Sequence, residues 1–187
     1  KLIDGQGRVL GGITVGEATL IDKIYRFSRI SGPAMSPFNA WVLSKSLETL
    51  AVRVDRHCEN ALGLAQFLEA HDSVKMVKYP FLKSHPKYEI AKKQMKAGGA
   101  VVAFELEGGL ETGKEFFNNI QMLSLSANLG DARSIVTHPA STTHAKLIPE
   151  ARLEAGITDG LIRVSVGLEN IADIIKDVSQ AIEKATL

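Results

Sequence analysis

Apolar residues recur along the chain with two periods, and the change of period marks the change of element. In Leu161-Ile162-Arg163-Val164-Ser165-Val166 the alternation is strict. On a strand it sets Ile162, Val164 and Val166 on one face and Leu161, Arg163 and Ser165 on the other. Beyond it, Ile171, Ile174, Ile175, Val178, Ala181 and Ile182 follow a helical period, with Asn170 as N-cap and Asp173 three residues later. Earlier, Leu43, Leu47, Leu50, Val54, Cys58, Ala61, Ala65 and Leu68 recur at steps of three and four behind Ser36-Pro37, an N-cap followed by proline at the first helical position. This pattern predicts one long amphipathic helix or two nearly collinear ones. At 1.5 Å per residue, some thirty residues reach roughly 45 Å, which suits a link between two domains.

Shorter patterns fill the intervals. Val9–Val15 reads as a strand interrupted by Gly11-Gly12, and residues 17–30 as partly helical up to the breaker Ser31-Gly32-Pro33. Strands are expected over Val74–Tyr79, Ala100–Leu106, Met122–Leu125 and Ser134–Thr137. Helices are expected from His85-Pro86 to about Lys96, over Leu110–Asn119, and over Pro149–Ala155 with Gly156 behind it. The alternation of strands and helices gives an α/β fold. No repeat or low-complexity linker divides it, so the domain boundary is expected inside the long helix, with 1–55 in one unit and 56–187 in the other.

Composition narrows the class. The 187 residues carry a formal net charge of +1 with 23% charged residues, so there is no basic field for nucleic acid. No apolar run approaches the ~20 residues of a membrane span. One cysteine, Cys58, excludes an internal disulfide framework and a cysteine-rich metal site, and a reducing, cytoplasmic setting is expected. Its place on an apolar stripe makes it a core residue. The chain opens at Lys1 without an initiator Met or a signal-peptide layout, and the expectation is a fragment.

Arg163 is the first candidate for chemistry. A guanidinium in a strand that otherwise wants burial needs an anion. That anion is either a carboxylate of the protein itself or the carboxylate of a substrate. His138 and His144 lie six apart in a loop, a spacing that does not suit a metal site. The polar run Ser126–Ser134 is either an ordinary connection or a pocket rim. The glycines of residues 5–12 match neither a Walker loop nor a dinucleotide fingerprint, and no nucleophile elbow is present. Lys1 alone carries no signal.

Four separated motifs, in order, resemble the C-terminal half of the Cys/Met-metabolism family of pyridoxal-phosphate enzymes: Lys1–Gly12, Gly32–Trp41, Ser126–Asp131 with His138-Pro139-Ala140, and Leu161–Glu169. The resemblance covers essentially the whole chain. It implies fold type I, the aspartate-aminotransferase-like fold, with the end of the large domain followed by a small α/β domain. It implies pyridoxal 5'-phosphate carried by Lys1, and a substrate carboxylate held by Arg163 and by Asn128, which stands where many relatives have serine. The Asp4–Arg8 run and Asn128–Asp131 are most similar to members that act on O-succinylhomoserine, so the implied reaction is γ-replacement of an O-acylhomoserine by sulfide to give homocysteine. Methionine γ-lyase, cystathionine γ-synthase and cystathionine lyase activities are the alternatives within the family, and a non-catalytic interaction fragment is the alternative outside it. The family's Ser-x-Thr before the lysine, its ring-stacking aromatic, its ring-nitrogen aspartate and its phosphate cradle are not in this sequence, which implies poor cofactor retention by the chain alone. The resemblance further implies a cytoplasmic homo-oligomer, a tetramer built as a dimer of dimers, with small-molecule substrates and neither nucleic acid nor membrane as partner.

Overall fold

The structure is a computed structural model that describes residues 1–187. Five strands form one sheet: β1 (Val74–Lys78), β2 (Val101–Leu106), β3 (Ser124–Leu125), β4 (Ile135–Thr137) and β5 (Leu161–Ser165), in the order β1-β2-β5-β4-β3. β3 pairs parallel with β4, and every other pairing is antiparallel. Seven α-helices accompany it: α1 (Ala18–Ser31), α2 (Pro37–Leu47), α3 (Leu50–Glu69), α4 (Tyr88–Gln94), α5 (Gly109–Asn119), α6 (Pro149–Glu154) and α7 (Ile171–Ala185).

The strict alternation in β5 does what it predicts. Ile162, Val164 and Val166 are fully buried, and with Val102, Phe104, Leu106 and Val136 they form the core face of the sheet. Helices α3, α5 and α7 cover that face. Phe104 meets Phe116 of α5 edge to face at 5.6 Å. From α7 come Ile174, Val178, Ala181 and Ile182, all completely buried, and each large side chain so removed from water contributes about 1.5–3 kcal/mol. Asn170 caps α7 by accepting the Ala172 N–H at 2.9 Å. The carboxylate of Asp177 projects from the same helix and accepts the backbone N–H groups of Gln121, Met122 and Leu123 at 3.0, 2.9 and 3.0 Å. It thereby fixes the entry into β3. Cys58 is buried, as its stripe suggests.

One open alternative is resolved and two expectations change in detail. The long apolar stripe is carried by two helices, α2 and α3, broken at Glu48-Thr49. There the Ser46 carbonyl is taken by the Thr49 N–H at 3.3 Å and the Arg53 Nη2 at 2.8 Å. All the buried residues of α3 lie from His57 onward. Helix α4 starts at Tyr88 rather than at His85, because the preceding residues run through turns, one of them closed by the Lys87 N–H on His85 Nδ1 at 3.2 Å. Val9–Val15 forms no strand. Leu10, Ile13 and Val15 face solvent, and the segment joins no ladder; its Leu10 carbonyl is taken instead by Asn39 Nδ2 of α2 at 2.8 Å. Helix α1 is likewise amphipathic but covered by nothing in this chain: it has no buried residue and exposes Leu20, Ile24, Phe27 and Ile30.

Candidate active site

The face of the sheet opposite the core carries the site. Register sets Arg163 between Ala103 of β2 and Thr137 of β4. Its Nη2 donates to the carbonyls of Ala127 and Asn128, both at 3.1 Å, while its Nε is buried and has no partner. No carboxylate of the chain pairs with it, so the internal ion pair that the sequence left open is absent. Burial pushes the guanidinium pKa below its ordinary value, and no neighbouring anion opposes that shift. A half-buried cation whose donors remain open attracts an anion, above all a planar carboxylate that matches its fork.

The loop Ala127–Ala132 joins this strand to the beginning of the chain. Gly130 donates its N–H to Ser165 Oγ at 2.9 Å, and Ser165 lies two residues from Arg163 on the same strand face. Ala132 donates its N–H to the Gly5 carbonyl at 2.7 Å and accepts from the Leu168 N–H at 2.8 Å. Gly130 has a φ of 77°, and a Cβ on it would come within 2.7 Å of the Leu2 nitrogen and 3.1 Å of the Lys1 carbonyl carbon. Only glycine allows the loop to lie so close to the first turn.

Lys1 is exposed and lines a cavity of about 700 Å³, walled by Leu2, Val9, Ile13, Leu43 and Leu129. Its side chain enters no ion pair. Asn128 meets Arg163 through its backbone carbonyl, and its side-chain amide makes no hydrogen bond within the chain. The Ala127–Ala132 loop, which composition alone left undecided, thus touches both the Arg163 strand and the Lys1 turn, while the cavity at Lys1 is lined by neither Asn128 nor Arg163. Ser165 was not singled out, although its alternation with Arg163 was the signal that could have found it.

The histidines do not converge. His138 bonds Ser141 Oγ at 2.8 Å and the Asp159 carbonyl at 2.6 Å, and His144 bonds Thr143 Oγ1 at 2.8 Å. No group of three His, Cys, Asp or Glu side chains is arranged to hold a metal ion. No helix is long and apolar enough to cross a membrane.

The α/β chain thus presents an open arginine on the sheet face opposite the core and a lysine at the rim of a cavity. The chain belongs to the Cys/Met metabolism PLP-dependent enzymes, whose family model matches residues 1–183. Its relatives include an O-succinylhomoserine sulfhydrylase of Mycobacterium tuberculosis, 49% identical over 97% of this chain and 46% of the relative. An L-methionine gamma-lyase of Fusobacterium nucleatum is 46% identical over 98% of this chain and 47% of the relative. Cystathionine gamma synthase from Xanthomonas oryzae pv. oryzae, solved in complex with aminoacrylate and cysteine, superposes with a TM-score of 0.93 at 37% identity, over 100% of this chain and 48% of that one. The fold is therefore that of the fold type I pyridoxal-phosphate enzymes. The chain spans about half the length of the curated relatives it matches.

Proposed function

We propose that the protein carrying this chain catalyses γ-replacement on O-succinylhomoserine, in which sulfide displaces succinate and homocysteine is formed. The observation that carries the reading is Arg163, a half-buried guanidinium with an orphaned Nε and no acid of its own, joined through Gly130 to the Lys1 turn. The 49% identity to an O-succinylhomoserine sulfhydrylase supports the choice of substrate.

The residues present fit pyridoxal phosphate on the lysine and substrate side. Lys1 would hold it, from the rim of a cavity of about 700 Å³, a size typical of cofactor and ligand pockets. When bound, the cofactor supplies an electron sink for charge developing at the substrate Cα and Cβ. Arg163 receives the α-carboxylate through a donor left open beside Nη2, which the Ala127 and Asn128 carbonyls hold. That contact fixes the direction of the Cα–H bond. The Asn128 amide adds a donor beside the same carboxylate. The Lys1 amine would hold the proton taken from Cα and deliver it within the same substrate. Leu2, Ile13, Leu43 and Leu129 give the cavity an apolar wall that excludes water from these transfers.

The same reading extends to organisation. It makes residues 1–55 the end of the cofactor-binding domain and 56–187 the C-terminal domain. The uncovered apolar face of α1 supports a homo-oligomer, a tetramer in this reading, and the free thiol of Cys58 supports a cytoplasmic setting.

A second reading, γ-elimination, is supported by the 46% identity to an L-methionine gamma-lyase. One experiment separates them. The natural protein, loaded with pyridoxal phosphate, is reduced with borohydride and mapped, and its products are followed with and without sulfide. A pyridoxyl group on Lys1 and sulfide-dependent homocysteine are expected. A 2-oxo acid and ammonia formed equally without sulfide would favour the lyase. No adduct on Lys1 would sink both and leave a non-catalytic interaction chain.

A further inference from the structure

The Lys1 turn is closed by the Gly5 N–H on the Lys1 carbonyl at 2.7 Å, and it is held from two sides. Gly130 lies on one side. On the other is Arg53, on the first turn of α3. Its Nη1 donates to the Leu2 carbonyl at 2.7 Å, and its Nη2 donates to the carbonyls of Ile3 at 3.1 Å and Ser46 at 2.8 Å. Its Nε donates to Thr49 Oγ1 at 3.1 Å, which orients the guanidinium. Gly5, at a φ of 75°, leaves no room for a side chain, because a Cβ there would run into the Arg53 guanidinium.

Arg53 makes no ion pair. The nearby carboxylate, Asp4, is engaged by Arg8 at 2.9 Å, and Arg8 also reaches Ser46 Oγ at 2.7 Å. The charge of Arg53 is met instead by backbone dipoles. Ser46 stands in the last turn of α2, where the carbonyls carry the negative end of the helix dipole. A planar cation with several donors in a fixed fork can tie two segments together through carbonyls alone, which a lysine or a neutral amide cannot reproduce. Burial, and then the charge of Arg8, hold the Arg53 pKa below its ordinary value, in line with a guanidinium retained here for its geometry.

We propose that Arg53 is a positioning residue for the reaction: it ties the Lys1–Gly5 turn to the α2–α3 junction and so sets where the Lys1 amine stands relative to Arg163. The inference rests on the reading of Lys1 as the cofactor lysine. The turn has no apolar anchor comparable to the sheet core, so its direction is set by polar contacts: the bonds from Arg53, the Ala132 N–H on the Gly5 carbonyl at 2.7 Å, Arg8 Nη2 on the Asp4 carbonyl at 2.9 Å, and the close approach of Gly130. Arg163 is fixed independently, by β5.

The test uses the natural full chain loaded with pyridoxal phosphate, with Arg53→Met, Arg53→Lys and Thr49→Val. For Arg53→Met, kcat falls by about 10- to 100-fold with KM within about threefold, the pattern of a displaced reacting group over an intact carboxylate site. The visible circular dichroism of the bound cofactor changes, because it reports the cofactor's orientation. In the cofactor-free protein, amide exchange of residues 2–5 accelerates by about tenfold or more while β2 and β5 keep their protection. Arg53→Lys recovers part of kcat. If Arg53→Met does not fold, Thr49→Val decides, since it removes the Nε acceptor and the Thr49 Oγ1 bond to the Ser46 carbonyl at 3.3 Å while leaving Nη1 and Nη2 their carbonyl partners: a severalfold loss of kcat at constant KM supports the proposal, and unchanged kcat overturns it. Native kcat and native exchange in Arg53→Met also overturn it, as does a loss of kcat that only tracks lost protection in β5. Borohydride mapping to a residue other than Lys1 sinks the functional reading, whereas mapping to Lys1 with normal turnover by Arg53→Met sinks this inference alone.

Discussion

Gly130 donates its amide to Ser165 Oγ at 2.9 Å while its α-carbon lies against the backbone of Leu2, so one residue couples the Arg163 strand to the Lys1 turn. Replacing it by alanine meets two penalties. The backbone is in the left-handed region, at a φ of 77°, which costs an L-residue about 1–2 kcal/mol. The added Cβ would stand 2.7 Å from the Leu2 nitrogen, so loop or turn must move. Gly130→Ala is expected to lose about 2–4 kcal/mol in urea unfolding. Ser165→Ala removes one buried acceptor and is expected to lose about 1–2 kcal/mol. The reverse order would show that the hydrogen bond, and not the close approach, holds the loop.

Arg163 is expected to act on binding. Arg163→Ala in the natural protein raises KM for O-succinylhomoserine by about 100-fold, or some 2.7 kcal/mol, since a charged partner is left unmatched. Arg163→Lys recovers only part, because its ammonium cannot present the same fork. Steady-state kinetics on both variants checks this, and a substrate analogue lacking the carboxylate should not distinguish them from the native protein.

Asp177 predicts a purely structural loss. Its buried carboxylate accepts three consecutive backbone N–H groups, and Asp177→Ala leaves all three without an acceptor. About 3 kcal/mol of stability is expected to go. Asp177→Asn, which keeps one carbonyl oxygen, should fall between. Thermal melts in parallel with kinetics should show Tm falling in both variants with KM unchanged at a temperature where they remain folded.

His57 makes stability fall in mild acid. It is buried on α3, bonded through Nδ1 to the Val166 carbonyl at 2.6 Å, with Nε2 unpartnered. Burial lowers its pKa from the ordinary 6.5. The unfolded chain therefore binds a proton at higher pH than the fold does, and stability declines as pH drops below about 6.5 until the folded-state pKa is passed. Unfolding curves between pH 7.5 and 5, for the native protein and His57→Gln, are expected to diverge in slope. Asp4 and Asp131 act at lower pH. Each carboxyl is raised by burial but held below its ordinary value overall by hydrogen bonds, from Arg8 and Arg133 respectively, so their contributions are lost only as pH falls through the carboxylate range.

Much of the C-terminal architecture was legible before any coordinates, because local period and burial agree there. Alternation in β5 put Ile162 and Val164 on the core side, and helical spacing put Ile174 and Val178 beneath the sheet. Arg163 stood out for the same reason, as a charge that breaks the pattern. The failure at Val9–Val15 has an equally physical cause: apolar and β-branched residues favour a strand, but a strand needs a neighbour's ladder, and this segment joins none. What stayed hidden at the site was contact made through the backbone. Arg53 bonds carbonyls, which every residue has, and no periodicity of side chains could reveal which carbonyls they would be. The position of the break between α2 and α3 was hidden for the same reason, since the Ser46 carbonyl is one of them.

The uncovered stretch Val9–Gly16 matters for handling the chain as well as for reading it. It contains no charged residue and no proline, and it holds Leu10 and Val15 almost fully in water. Those are the properties of an edge that recruits other strands. In a refolding mixture of this chain alone, such an edge meets copies of itself before it meets anything else. The segment that would complete a sheet beside the right neighbour becomes, without one, the seed of a precipitate, and the yield of refolding should decline as concentration rises.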